Sequence, residues 1–238
     1  MNRTIHLTLS AADIREKDLT GRIAVVIDVL RATSVIVTAL SNGASWVKTV
    51  ASIEEAFQLK KTGILLGGER HALPINGFDC SNSPLEYTTE RVLNQGIVLT
   101  TTNGTQAISR CHNAAEVLIG SFLNHQALAT YLIKKVMPVE LICAGTNNEF
   151  SLDDFLCAGL ICSSLEKSGK FKFDDLGKLA IEKWEQSQSD IHSALQDTTH
   201  YNVLKSKGLI SDLDYCLQMD THNIVVSGDS SNFFTKKA

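Results

Sequence analysis

Residues 23–34 read IAVVIDVLRATS: an unbroken apolar run that ends in an acid, an arginine and two small hydroxylated residues. A strand with one face in water alternates polar and apolar side chains. This one does not, so it is expected to be covered on both faces, as the strands of parallel sheets are. The residues that follow, RATSVIVTALSNG, have the spacing of a helix that Thr33 or Ser34 can cap. Asp28 and Arg31 therefore fall in a strand-to-helix turn, where an unpaired charge is costly to bury.

The same theme of apolar strand, polar turn and helical pattern recurs three times. ILLGG (64–68) precedes ERHALPINGFDCSNSP, GIVLT (96–100) precedes TTNGTQAISRC, and VELICAG (139–145) precedes TNNEFSLDDFLCAGLICSSLEK. ASIEEAFQLKKTG, started by Ser52 and stopped by Gly63, and SFLNHQALATYLIKK (121–135) read as further amphipathic helices. Interleaving of this kind predicts an α/β fold with a mostly parallel sheet flanked by helices. From residue 171 to 222 the chain turns polar and helical, with Ser211 as a cap and Asp214 three residues on. NIVVSGD (223–229) then reads as one more strand. The 238 residues suit a single domain, 1–238, with a helical excursion in its C-terminal third.

Composition narrows the partners. The formal charge is −4 and the basic residues are scattered, which argues against nucleic acid or an anionic membrane surface as a partner. No window approaches the roughly eighteen apolar residues of a membrane span. The N-terminus alternates Ile5, Leu7 and Leu9 with polar residues, as a strand does and a signal peptide does not. A soluble cytoplasmic protein is expected. Its six cysteines lack CxxC spacing and are expected to be reduced core residues. The apolar pair Phe233-Phe234 is a candidate surface for joining two copies as a homodimer.

In sheets of this class, ligands bind beyond the carboxyl ends of the strands, where the polar clusters fall. Arg31 offers a planar fork of donors to a phosphate, sulfonate or carboxylate, and Asp28 offers oxygen to Mg²⁺. A salt bridge between the two is the plainer alternative. TTTNGTQAI (100–108) is a second anion candidate, although Asn-Gly is also an ordinary turn. GGERH (67–71) adds Glu69 as a metal ligand and Arg70 as an anion ligand, with glycines that admit a ligand closely. FDCSNSP (78–84) adds the short polar side chains of Asp79 and Asn82. FSLDDFLCAG (150–159) opens a helix, capped by Ser151, with Asp153 and Asp154 in a first turn that favours carboxylates. Together with Asp28 they would form an oxygen-rich magnesium site.

Several chemistries are excluded. No cysteine begins a Cys-x5-Arg phosphatase loop, and Asp28 is followed by Val29 and Leu30 rather than by the DxD of a haloacid dehalogenase. GxSxG, HExxH and GxGxxG are absent, and only His71 among the histidines lies near the proposed site.

Taken jointly and in this order, IDVLRATS, GGER, FDCSNSP, TTNGTQA and CAGTNNEFSLDD resemble the 2-phosphosulfolactate phosphatase family over nearly the whole chain. The resemblance implies Mg²⁺-dependent hydrolysis of (R)-2-phospho-3-sulfolactate to 3-sulfolactate and phosphate, an early step of coenzyme M biosynthesis, on a family-specific α/β fold. Carried over to this chain, it supports Asp28, Arg31 and Arg70 as catalytic residues. It supports Asn82, Ser83, Thr102, Asn103, Gly104 and Gly145 as substrate-binding, and Asp28, Glu69, Asp153 and Asp154 as metal ligands. Asp28 and, more weakly, Cys143 are candidate nucleophiles. A small anionic phosphorylated acid is the expected partner. The rival reading is a non-catalytic module that binds an anionic or phosphorylated metabolite.

Overall fold

The computed structural model describes residues 3–237. In chain order the first half contains β1 (Arg3–Thr8), β2 (Ile23–Ile27), α1 (Ala32–Ser41), β3 (Trp46–Thr49), α2 (Ile53–Gln58), β4 (Ile64–Arg70), β5 (Leu73–Pro74), α3 (Thr89–Val92), β6 (Gly96–Thr100), α4 (Gly104–Ser109) and β7 (Glu116–Gly120). The second contains α5 (His125–Ile133), β8 (Val139–Cys143), α6 (Leu152–Glu166), β9 (Phe171–Phe173), α7 (Asp175–Ser187), α8 (Ile191–Leu195), α9 (Thr199–Ser206), α10 (Ile210–Cys216), β10 (Val226–Gly228) and β11 (Phe233–Lys236).

The strands form one sheet, ordered β5-β4-β6-β3-β11-β10-β7-β2-β8-β1-β9. It is mixed rather than purely parallel. On one side β4, β6 and β3 run parallel, and on the other β7, β2, β8, β1 and β9 do. Between them lies the β10–β11 hairpin, antiparallel within itself, to β7 and to β3. Three reversals make the two parallel halves run in opposite senses. Twist of roughly 20–25° per strand, accumulated over the steps from β2 to β6, turns the halves by about 100–125°. Their carboxyl ends therefore swing toward one another instead of lying at opposite poles.

Helix α1 spans the junction of the two parallel blocks. Every residue from Ala32 to Leu40 is buried, and the helix packs against β3, β7 and β11. A helix without a charged residue, whose Thr33, Ser34 and Thr38 hydroxyls are all hydrogen-bonded within the protein, belongs in a core and not on a surface. The other core lies across the sheet, where α6 and α7 pack on β1, β2 and β8. Leu195, Leu204 and Leu213 of the helical excursion join that same cluster. Ala180's carbonyl fits against Gly159 at the α6–α7 crossing, where any side chain would collide.

Several element boundaries differ from those read in the sequence. Ser52 does cap α2, accepting from the Glu55 N–H at 3.1 Å, but the helix stops at Gln58, well before Gly63. Helix α10 begins at Ile210 with Leu209 at its cap position, so Ser211 is inside the helix. The last strand of the sequence reading, 223–229, shortens to β10 and is joined by β11, which the sequence reading lacked. That strand places Phe234 at 0% exposure within the core, so the Phe233-Phe234 pair is not an open surface. All six cysteines are buried. No described helix is long and apolar enough to cross a membrane.

Candidate active site

Four loops that follow β2, β4, β6 and β8 meet at a cavity of about 200 Å³. That is small beside the roughly 300–1,000 Å³ of pockets for drug-sized ligands, and suits a small acid. Of the residues named from the sequence, Asp28, Arg31, Glu69, Asn82, Thr102 and Asn103 line it. Helix α9 closes the remaining side with Thr199, His200 and Val203.

Asp28 sits at the tip of β2, 5% exposed. Its Oδ1 accepts the N–H of Ala32 at 3.2 Å, so Asp28 rather than Thr33 or Ser34 satisfies the start of α1. The Thr33 hydroxyl instead ties the turn, donating to the Asp28 carbonyl at 2.9 Å. The Leu30–Arg31 peptide bond is cis. Gly104 completes the wall: a Cβ there would stand 2.6 Å from Asp28 Oδ2, so glycine lets α4 approach the carboxylate. Burial pushes the Asp28 carboxyl up to about 6, helped by repulsion from Asp153 and Glu69 and opposed by His200.

Arg31 does not pair with Asp28. Its guanidinium donates to Asp212 of α10, and Ser83 Oγ donates to the other Asp212 oxygen at 2.7 Å. Sequence reading missed Asp212, because an acid in a polar helix carries no signal of a buried partner 181 residues away. It also missed His200. The His200 Nδ1 lies 3.4 Å from Asp153 Oδ2, close enough for an ion pair although not aligned as a hydrogen bond. Burial works to lower the His200 pKa, but Asp153 outweighs it and the net shift is upward. Burial likewise favours neutral Asp153, yet His200 and a hydrogen bond from Ser151 hold its carboxyl below the usual range.

The remaining candidates have structural duties. Both Asp154 oxygens accept backbone N–H groups, from Val29 at 2.8 Å and Gly145 at 3.0 Å, which locks the β2 and β8 loops together. Burial raises the Asp154 carboxyl well above its ordinary value, with Asp153 and Asp28 adding repulsion. Glu69 accepts from Thr102 N at 2.7 Å and Ala72 N at 2.6 Å. Arg70 points away from the cavity, donating to the Thr100 hydroxyl at 2.8 Å and to the Ala51 and Glu69 carbonyls. Asp79 is paired with Lys60. The glycine pair makes room for protein rather than ligand, since a Cβ on Gly67 or Gly68 would strike the Tyr87 hydroxyl or the Thr100 carbonyl. Cys143 is fully buried and burial pushes its thiol well up, which removes it as a thiolate nucleophile.

The four carboxylates do not form one ready cage: among the described residues, no three His, Cys, Asp or Glu side chains converge as a metal site. The charge balance nevertheless favours a cation. Asp28, Glu69, Asp153 and Asp212 are all buried, against Arg31 and His200 as the cations among them. Asn82 Oδ1, on the same wall, is buried with no hydrogen-bond partner. Mg²⁺ needs only one or two protein oxygens when substrate and water supply the rest. Asp28 and Asn82 fit that requirement.

The chain's similarities point the same way. The family described as 2-phosphosulpholactate phosphatase matches residues 8–230. A probable 2-phosphosulfolactate phosphatase of Clostridium perfringens (strain SM101 / Type A) is 48% identical over 227 residues, covering 93% of this chain and 90% of that protein. Proteins of the same description from Clostridium novyi (43% over 224 residues; 93% and 95% covered) and Caldanaerobacter subterraneus subsp. tengcongensis (42% over 216 residues; 89% and 90%) are also similar. The chain belongs to the 2-phosphosulfolactate phosphatase family, a family of phosphoric monoester hydrolases.

Proposed function

We propose, with family membership as the premise, that the protein hydrolyses (R)-2-phospho-3-sulfolactate to 3-sulfolactate and phosphate with Mg²⁺ as cofactor. The observation that carries this reading is the convergence of Asp28, Arg31, Asn82, the Thr102-Asn103 turn and His200 on one small cavity. A substrate bearing phosphate, carboxylate and sulfonate needs concentrated positive potential from a chain whose net charge is −4. Asp28 and the free oxygen of Asn82 would hold Mg²⁺, and the ion would neutralise charge on the phosphoryl oxygens.

The protein's own groups do the rest. Arg31, held by Asp212, presents a fixed cation at the cavity wall. The Thr102 hydroxyl, buried without a hydrogen-bond partner, and the Asn103 side-chain amide would orient an oxyanion. With the His200 Nδ1 turned to Asp153, its Nε2 is the ring atom left to meet the substrate, and its proton would pass to the departing alkoxide.

The test is phosphate release from 2-phospho-3-sulfolactate by the purified protein. Activity is expected with Mg²⁺ and none with EDTA, and Asp28→Asn should cost about 10²-fold or more in kcat while leaving the circular dichroism spectrum intact. A folded wild-type protein that binds the substrate saturably but releases no phosphate would replace this reading with that of a binding module.

A further inference from the structure

The cavity mouth is spanned by a contact between distant parts of the chain. The turn joining β4 to β5 has its tip at His71 and Ala72, both with positive φ, 54° and 59°. Lys207, at the end of α9, donates from its ammonium to the His71 carbonyl, and all three residues line the cavity. The cations of the site differ in how they are compensated. Arg31 is neutralised by Asp212, and His200 by Asp153. Arg70 is turned away onto Ala51 and Thr100. Lys207 is exposed, and among the described residues its ammonium meets a neutral carbonyl and no carboxylate within ion-pair distance. An ammonium carries three donors and a full charge, so one carbonyl leaves both capacity and charge unspent.

We propose that Lys207 is the specificity residue for the substrate's sulfonate: the group leaves the His71 carbonyl and binds the strong-acid anion at the mouth of the cavity. The assignment rests on the phosphatase reading above, because that reading supplies a substrate with an anionic group beyond its phosphate. Lysine suits this task as a compact charge on a flexible stem that reaches a group whose position differs from that of the phosphoryl centre.

The experiment compares 2-phospho-3-sulfolactate with 2-phospholactate, which keeps the phosphate and carboxylate and lacks the sulfonate. Lys207→Met is expected to lower the ratio of kcat/KM for the sulfonated over the plain substrate by ~10- to 100-fold, the range of one hydrogen bond to a charged group. The loss should lie in KM rather than kcat, and Lys207→Arg should restore most of the ratio. Equal losses on the two substrates, or no loss, would overturn the proposal. Calorimetric binding of 3-sulfolactate and lactate to wild type and Lys207→Met gives a readout independent of turnover. A wild type that binds 3-sulfolactate more tightly than the variant does, while hydrolysing neither ester, would refute the phosphatase reading and keep the sulfonate assignment. Identical 3-sulfolactate affinities in the two proteins would refute the assignment itself.

Discussion

The Arg31–Asp212 ion pair is almost wholly buried, with the two side chains 3% and 5% exposed. Removing one member of such a pair strands a charge in a poor solvent. Asp212→Ala should therefore cost about 3–5 kcal/mol of unfolding free energy, measured by urea denaturation at pH 7.5. A loss below about 1 kcal/mol would show that Arg31 finds another partner when Asp212 is gone. The pair also shows what could be read in the sequence at this scale. Asp28 and Arg31 stood out because they interrupt an apolar run. Asp212 and His200 did not, because each occupies a helix in which polar residues are unremarkable, and only the fold carries α9 and α10 over the tips of the strands. Asp154 was readable as important but not as what it is. Two carboxylates in the first turn of a helix look alike in sequence, and their neighbours in space decide that one staples two loops while the other meets a histidine.

Among the elements, the strands β2 and β6 were legible because continuous burial writes an unbroken apolar run. Their parallel pairing within each block was legible too, but the reversal between the two blocks was not. Parallel and antiparallel pairing are decided by what lies between strands, here a hairpin whose arms are three and four residues long, too short to show a period. The same brevity places great weight on one side chain. Phe234 is fully buried, and its ring covers the backbone of Gly228 on the neighbouring arm. Phe234→Ala should cost ~3–5 kcal/mol in denaturant unfolding, as buried aromatic truncations do. A much smaller cost would mean that β3 and β7 are held in place by α1 without the hairpin. The α1 segment illustrates how a sequence pattern can be read too narrowly: ATSVIVTAL is helical in spacing, but its lack of any charged residue was the sign that it would be enclosed.

For the whole molecule, the pH response adds a measurable consequence. His125, the first residue of α5, is 6% exposed and lies 3.1 Å from Asp220. Burial holds its pKa below the ordinary value, Lys167 pushes the same way, and Asp220 only partly offsets them. The position at a helix N-terminus also disfavours a cation. Because the native pKa is depressed, the unfolded chain binds the proton first. This stabilising contribution is whole above pH ~6.5 and is lost as pH falls through the native value, with a slope of at most about 1.4 kcal/mol per pH unit. His125→Gln should flatten the change in urea midpoint between pH 7.5 and 5.5 relative to wild type. Parallel profiles for the two proteins would assign the acid sensitivity to other groups.

The position of the β10–β11 hairpin also bears on how the protein comes into being. Synthesis proceeds from the N-terminus, so β3 and β7 exist long before the strands that lie between them. A ribosome-bound chain can thus assemble its two parallel blocks early, yet their facing margins stay unpaired until β10 and β11 emerge. Unpaired strand margins invite association with other chains. The nascent polypeptide is accordingly most vulnerable to aggregation in the interval between the synthesis of β9 and that of β11.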